Sequence, residues 1–343
     1  MANFASDNTA PVHPKVMQAL MDANHGNAAA YGNDKLTEEL QHRFRATFNC
    51  PELRVFPVFN GSACNGLALA RMARPYESIL AHQQSHINND ECGLPEFFTG
   101  GKIVGLPGPH AKLSVDDLGD LVDLALGHAP HTSRPKVVSL TQSTELGTVY
   151  SLAELRSLAE FAKSRGLYLH MDGARIANAI ATLGCSPEAM TTEIGIDILS
   201  FGGTKNGAML AEAAVIFNPD LVQDFAYIHK RAGQLPSKAR FISAQLLALL
   251  KDDLWLDLGR AANQKAQVLM TGLLQISGVR LLYPVEANEV FVELPQALAV
   301  KLFACGHQFY KWPNEGTDAY RLVTSFATSD EDIASFLADC QAD

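Results

Sequence analysis

Residues 167–175 read LYLHMDGAR and residues 197–207 read DILSFGGTKNG. Each is a short apolar run that ends in a polar residue beside glycine: Asp172 ahead of Gly173, and Lys205 behind Gly202, Gly203 and Thr204. Such runs, bounded by glycine, read as buried strands. The 33 positions from Asp172 to Lys205 leave room for one helix and one strand, which brings both strand ends to the same edge of a sheet. That edge, beyond the carboxyl ends of parallel strands, is where α/β proteins place their sites.

Working outward, VFPVF (55–59), SILAH (78–82), KIVGL (102–106), KVVSLT (136–141) and AEAAVIF (211–217) read as further strands. Amphipathic stretches separate several of them. In SLAELRSLAEFAKSRG (151–166), Ser151 and Glu154 make a capping box, Leu152, Leu155, Leu158, Ala159 and Ala162 form one stripe, and Gly166 closes the end. Ser114 and Asp117 open another helix in the same way. The alternation predicts an α/β fold with a mostly parallel sheet. After about residue 240 the rhythm changes. A long apolar-periodic stretch (241–274) reads as a linker helix, followed by strand-like VRLLYP, NEVFVEL and YRLVTSF and a closing helix from Ser329. The expected organisation is an N-terminal arm (1–15), a large domain (16–245), and a linker helix with a smaller α+β domain (246–343).

The 343 residues are 47% hydrophobic and 19% charged, which suits a globular chain and excludes an extended disordered one. A net charge of −10 disfavours nucleic acid and anionic membranes as partners. No apolar run approaches the roughly 18 residues of a membrane span, and the first residues, MANFASDNTAPVHP, lack a signal-peptide pattern. The expected compartment is the cytoplasm. Six scattered cysteines without a C-x-x-C pair predict neither a metal site nor a disulfide framework.

Lys205, flanked by small residues, is open to a bulky carbonyl compound and could form a Schiff base; the ordinary alternative is a solvated loop lysine. Asp172 at the end of an apolar strand needs a cation, such as a protonated pyridine nitrogen, or else caps the following helix. Asn60, Gly61 and Ser62 lie between a strand and a helix, a turn suited to a phosphate but also common elsewhere. His86, in HQQSHINNDECG, is a candidate to stack on a ring or move a proton, or is simply structural.

In this order, these features resemble the pyridoxal-phosphate enzymes of the aspartate aminotransferase fold. More closely, FASDN, AAAYGND, VFNGSACNGLAL, SHINNDECG, DGARIANA, FGGTKNG and YRLVTSF resemble the low-specificity L-threonine aldolases and their phenylserine aldolase relatives, in the β-eliminating lyase group. The resemblance implies an aspartate-aminotransferase-like large domain and pyridoxal 5'-phosphate held by Lys205 as a Schiff base. It implies that Asp172 pairs with the ring nitrogen, Asn60, Gly61 and Ser62 hold the phosphate, and His86 stacks on the ring and acts as a base. Ser6, Arg175 and Arg321 would hold the substrate carboxylate. Arg240 and Arg231 would reach the phosphate of a neighbouring subunit, making a homodimer the minimal active unit within a homotetramer. Where many members have histidine in N-T-H-N-G, this chain reads Q-S-T-E-L-G, so Glu145 stands in that place, to handle the β-hydroxyl or bind water, or as a surface loop acid. The implied activity is retro-aldol cleavage of L-threonine, L-allo-threonine and other β-hydroxy-α-amino acids such as phenylserine. Another elimination or an aminotransferase reaction on the same scaffold is the alternative.

Overall fold

The computed structural model describes residues 1–312 and 318–341. Seven strands form the main sheet: β1 (Arg54–Val58), β2 (Glu77–His82), β3 (Lys102–Leu106), β4 (Arg134–Thr141), β5 (Tyr168–Gly173), β6 (Ile198–Phe201) and β7 (Glu212–Ile216), in the order β1-β7-β6-β5-β4-β2-β3. β7 runs antiparallel to β1 and β6, and the other pairs are parallel. The middles of the strands are largely apolar because both faces of the sheet are covered. Leu80, Val138, Leu199 and Val215 point to one side, with Phe44, Phe48 and Trp255. Their neighbours Ile79, Val137, Ile198 and Ala214 point to the other, with Leu67, Leu69 and Phe225.

A second, antiparallel sheet has the order β10-β11-β9-β8, from β8 (Arg280–Leu281), β9 (Glu289–Glu293), β10 (Tyr310–Lys311) and β11 (Ala319–Val323). The helices Gln296–Ala304 and Asp330–Gln341 pack on it around Val290, Val292, Leu302, Leu322 and Phe336. The beginning of the chain is stitched to this sheet: Phe4 donates its N–H to Gln308 O (2.7 Å) and accepts from Val323 N–H (2.8 Å), while its ring meets Phe336 edge-on. From there residues 5–9 run to the carboxyl edge of the main sheet, where Asp7 meets Arg175. The periodic stretch 241–274 is two helices, Arg240–Leu250 and Leu254–Leu273, rather than one. Asp252 and Asp253 take left-handed backbone angles at the break, a conformation that aspartate tolerates better than most residues. Among the described residues the six cysteines are free, and no helix is long and apolar enough to cross a membrane.

Candidate active site

β5 and β6 end level, with Asp172 opposite Ser200 and Gly173 opposite Phe201. Gly202 then donates its N–H to Gly173 O (3.1 Å), which turns the chain sharply towards Lys205. A side chain would block this path: a Cβ on Gly202 would lie 2.3 Å from Ala174 O, and one on Gly203 2.3 Å from Ala211 O. Glu212 on β7 fastens the loop from below, accepting from Gly203 N–H (2.7 Å) and Thr204 N–H (3.2 Å), and burial raises its pKa to about 7. Lys205 makes no hydrogen bond or ion pair among the described residues. It lines a cavity of about 240 Å³ with Asn60, Gly61, Ser62, His86, Glu145, Asp172 and Arg175.

Asp172 is buried and does not cap the helix that follows, Ile176–Leu183, whose N-cap position is Arg175. Instead, its Oδ1 accepts from Ala174 N–H (3.0 Å) and its Oδ2 from Asn65 Nδ2 (2.8 Å). The same Asn65 nitrogen donates to Glu91 Oε1 (2.9 Å), which lies 2.8 Å from His86 Nδ1. Asn60 caps the helix Gly61–Met72 by accepting from Ala63 N–H (2.8 Å). The first turn, at Gly61 and Ser62, therefore meets the cavity with the N–H groups and dipole end that favour an anion.

Arg175 and Arg321 line an adjoining cavity of about 550 Å³ together with Ser6, His86, Glu145 and Lys205. Arg175 grips Asp7 with two hydrogen bonds, Nε to Oδ2 (2.7 Å) and Nη2 to Oδ1 (3.0 Å), and its Nη1 lies 3.4 Å from Glu289 Oε2. Burial alone would raise the Asp7 pKa, but the guanidinium outweighs it and holds the carboxyl at about 2. The other Glu289 oxygen is 3.8 Å from Arg321 Nη1. Arg321 is not an edge-strand surface charge: β11 lies between β10 and β9, and its guanidinium stands over the Trp312 ring (5.2 Å).

Glu145 is no surface loop acid. It is half-buried, its Oε1 accepts from Thr141 Oγ1 (2.7 Å) and His86 N–H (2.8 Å), and its buried Oε2 has no partner. Burial pushes its pKa up to about 7. Arg231 and Arg240 do not line either cavity of the single chain. Arg231 is exposed at the end of the helix Phe225–Arg231, and Arg240 Nη1 donates to Gly26 O (3.2 Å). Sequence reasoning did not single out Asp7, Asn65, Glu91, Glu212 or Glu289. For Glu91 a signal was present, an acid five positions after His86 in SHINNDECG. Among the described residues, no group of three or more His, Cys, Asp or Glu could hold a metal ion.

The residues present fit a phosphorylated pyridine aldehyde. An unpaired amine, a buried strand-end carboxylate and a helix first turn share one cavity, and four buried oxygens of its lining residues, Asn65 Oδ1, Glu91 Oε2, Ser143 Oγ and Glu145 Oε2, are without partners. Fold and cavity together define a lysine-centred α/β protein built to hold such a group. The comparisons place it more closely. Residues 3–297 match the model of the family described as beta-eliminating lyase, and the chain belongs to that family. It is 42% identical to a low specificity L-threonine aldolase of Pseudomonas aeruginosa over 98% of this chain and 96% of that one. It is 41% identical to another from Pseudomonas sp., over 99% and 97%. Among solved structures, a threonine aldolase of Leishmania major superposes with TM-score 0.93 at 29% identity, covering 99% of both chains. A Thermus thermophilus aspartate aminotransferase shares the fold, with TM-score 0.73 at 18% identity over 98% of this chain and 95% of that one.

Proposed function

We propose that this chain cleaves L-threonine, L-allo-threonine and other β-hydroxy-α-amino acids to glycine and an aldehyde, with pyridoxal 5'-phosphate as its cofactor. When bound, that group supplies an electrophilic carbonyl carbon and a ring that takes up the electron pair left as the Cα–Cβ bond breaks. Lys205 offers the amine that holds it. Asp172 keeps a positive charge on the ring nitrogen, because a buried carboxylate favours the protonated form. Asn60, Gly61 and Ser62 hold the phosphate at the helix start. Arg175 and Arg321, with Ser6, bind and orient the substrate carboxylate. His86 takes the proton of the β-hydroxyl, and Glu145 accepts a hydrogen bond from that hydroxyl or from a water beside it.

The observation that supports this most is the unpaired Lys205 amine sharing one cavity with Asp172 and His86. We further propose a homodimer as the minimal active unit, assembled into a homotetramer, with Arg231 and Arg240 reaching the neighbour's phosphate, and the cytoplasm as its compartment. The test is an absorbance spectrum of the purified protein with cofactor, followed by an aldehyde and glycine assay on L-threonine. The expected result is a visible band that Lys205→Ala abolishes, and both products in equal amounts. A band with 2-oxobutyrate and ammonia, or with a four-carbon hydroxy oxo acid, as product would favour elimination or amino transfer instead.

A further inference from the structure

Glu91 Oε1 receives two side-chain N–H directions at once, from His86 Nδ1 at 2.8 Å and from Asn65 Nδ2 at 2.9 Å. Asn65 also donates to Asp172 Oδ2, so one amide nitrogen links the two carboxylates. The Glu91 side chain is fully buried, whereas that of His86 is 39% exposed and borders both cavities. The helix Leu94–Thr99 begins just after Glu91, and Leu94 N–H donates to Glu91 O (2.9 Å), which anchors its backbone.

We propose that Glu91 is a positioning residue that keeps the His86 proton on Nδ1, leaving Nε2 as the only ring atom able to take a proton from the substrate. The reasoning is geometric and rests on the function proposed above. A carboxylate oxygen only accepts, so the His86 nitrogen facing it must donate. His86 Nε2, which has no partner among the described residues, then keeps its lone pair. The ring cannot turn over without losing the buried bond, which would leave Glu91 Oε1 with Asn65 alone. The hydrogen bond to Glu91 also raises the His86 pKa, which strengthens it as a base.

Other charges face the ring. Asp172 on β5 adds to this effect, and Lys205 after β6 opposes it. Glu145, beyond β4, accepts the His86 backbone N–H and titrates near pH 7, while Asp90, Arg175, Lys311 and Arg321 line the outer cavity. Glu91 differs from all of these in bonding directly to the ring.

The experiment is nitrogen NMR of the full chain labelled with ¹⁵N-histidine, without cofactor, from pH 5 to 9, with the His86 signals assigned by their loss in His86→Asn. The wild type is expected to show the Nδ1–H tautomer. In Glu91→Gln the midpoint should move down by about one pH unit, because removing the negative charge removes its support for the charged ring, and both tautomers should appear, because an amide can present either its oxygen or its NH2 to Nδ1. With cofactor, and compared in a Glu145→Gln background to remove the second titration, Glu91→Gln should lower kcat roughly 10- to 100-fold with KM little changed. The acid limb of its kcat profile should move to lower pH, and Glu91→Asp should restore part of the loss. An Nε2–H tautomer in the wild type, or an unmoved midpoint in Glu91→Gln, would overturn the proposal. The wild-type tautomer decides the matter even if Glu91→Gln does not fold. A wild type with the Nδ1–H tautomer that cleaves no β-hydroxy amino acid would instead count against the function and not against this assignment.

Discussion

At the scale of single residues, His86 and Glu145 border the same cavity but differ in what they can do. His86 presents a free ring nitrogen, whereas Glu145 has one oxygen committed to Thr141 and to the His86 backbone and one free. His86→Ala should therefore lower kcat by about 10²- to 10⁴-fold, the usual worth of a general base, and Glu145→Ala by only about 10-fold, the worth of one hydrogen bond. Steady-state kinetics on L-threonine check the order, and a reversal would reassign the base. Asp7 makes a different prediction. Its carboxyl is held at about 2 against an ordinary 3.8, so the Asp7–Arg175 pair contributes fully above pH 4 and is lost as the pH falls through 2. Asp7→Asn leaves a largely buried guanidinium with only Glu289 to balance it and should cost about 3 kcal/mol in urea unfolding at neutral pH, while raising KM because Arg175 is less firmly fixed. Lys205, Asp172 and His86 were legible because each stands in a local motif. Their partners were not: Asn65 is 107 positions from Asp172, and Asp7 is 168 from Arg175, so only folding brings them together.

The loop between β6 and β7 shows why an element can matter more than the residue it presents. Gly202 and Gly203 let the backbone pass within a Cβ's width of Ala174 and Ala211, and Glu212 then fixes the amides of Gly203 and Thr204. Gly202→Ala would place its methyl carbon 2.3 Å from a carbonyl oxygen, so the loop must shift and Lys205 with it. The expected outcome is loss of the lysine-dependent absorbance band with helix content retained by circular dichroism. Gly195→Ala, at φ +90 in open space, should instead lower the melting temperature slightly and keep the band. The strands themselves were readable from their apolar runs, KIVGL to the residue, and so was the capping box at Ser151. The break at Lys251–Asp253 escaped notice because the apolar spacing continues across it. β10, only two residues long, offers no pattern to read.

Taken whole, the molecule joins two sheets around the site. The main sheet supplies Asp172 and Lys205, the second supplies Glu289 and Arg321, and the N-terminal residues run between them carrying Ser6 and Asp7. The overall α/β character followed from the alternation of strand and helix. The wrapping of the N-terminus did not, since SDNTAPVHP has no periodicity to show where it docks. If Arg240 reaches a neighbour's phosphate, Arg240→Ala should weaken cofactor binding severalfold while sedimentation still finds the assembled oligomer. Unchanged affinity would confine Arg240 to its bond with Gly26. The central claim is that this chain breaks the Cα–Cβ bond of a β-hydroxy amino acid, and carbon NMR of uniformly ¹³C-labelled L-threonine incubated with the cofactor-loaded protein tests it most directly. The account predicts two two-carbon fragments, glycine and acetaldehyde, with the one-bond coupling between C2 and C3 gone and no such change with Lys205→Ala. A four-carbon oxo acid that retains this coupling would contradict it.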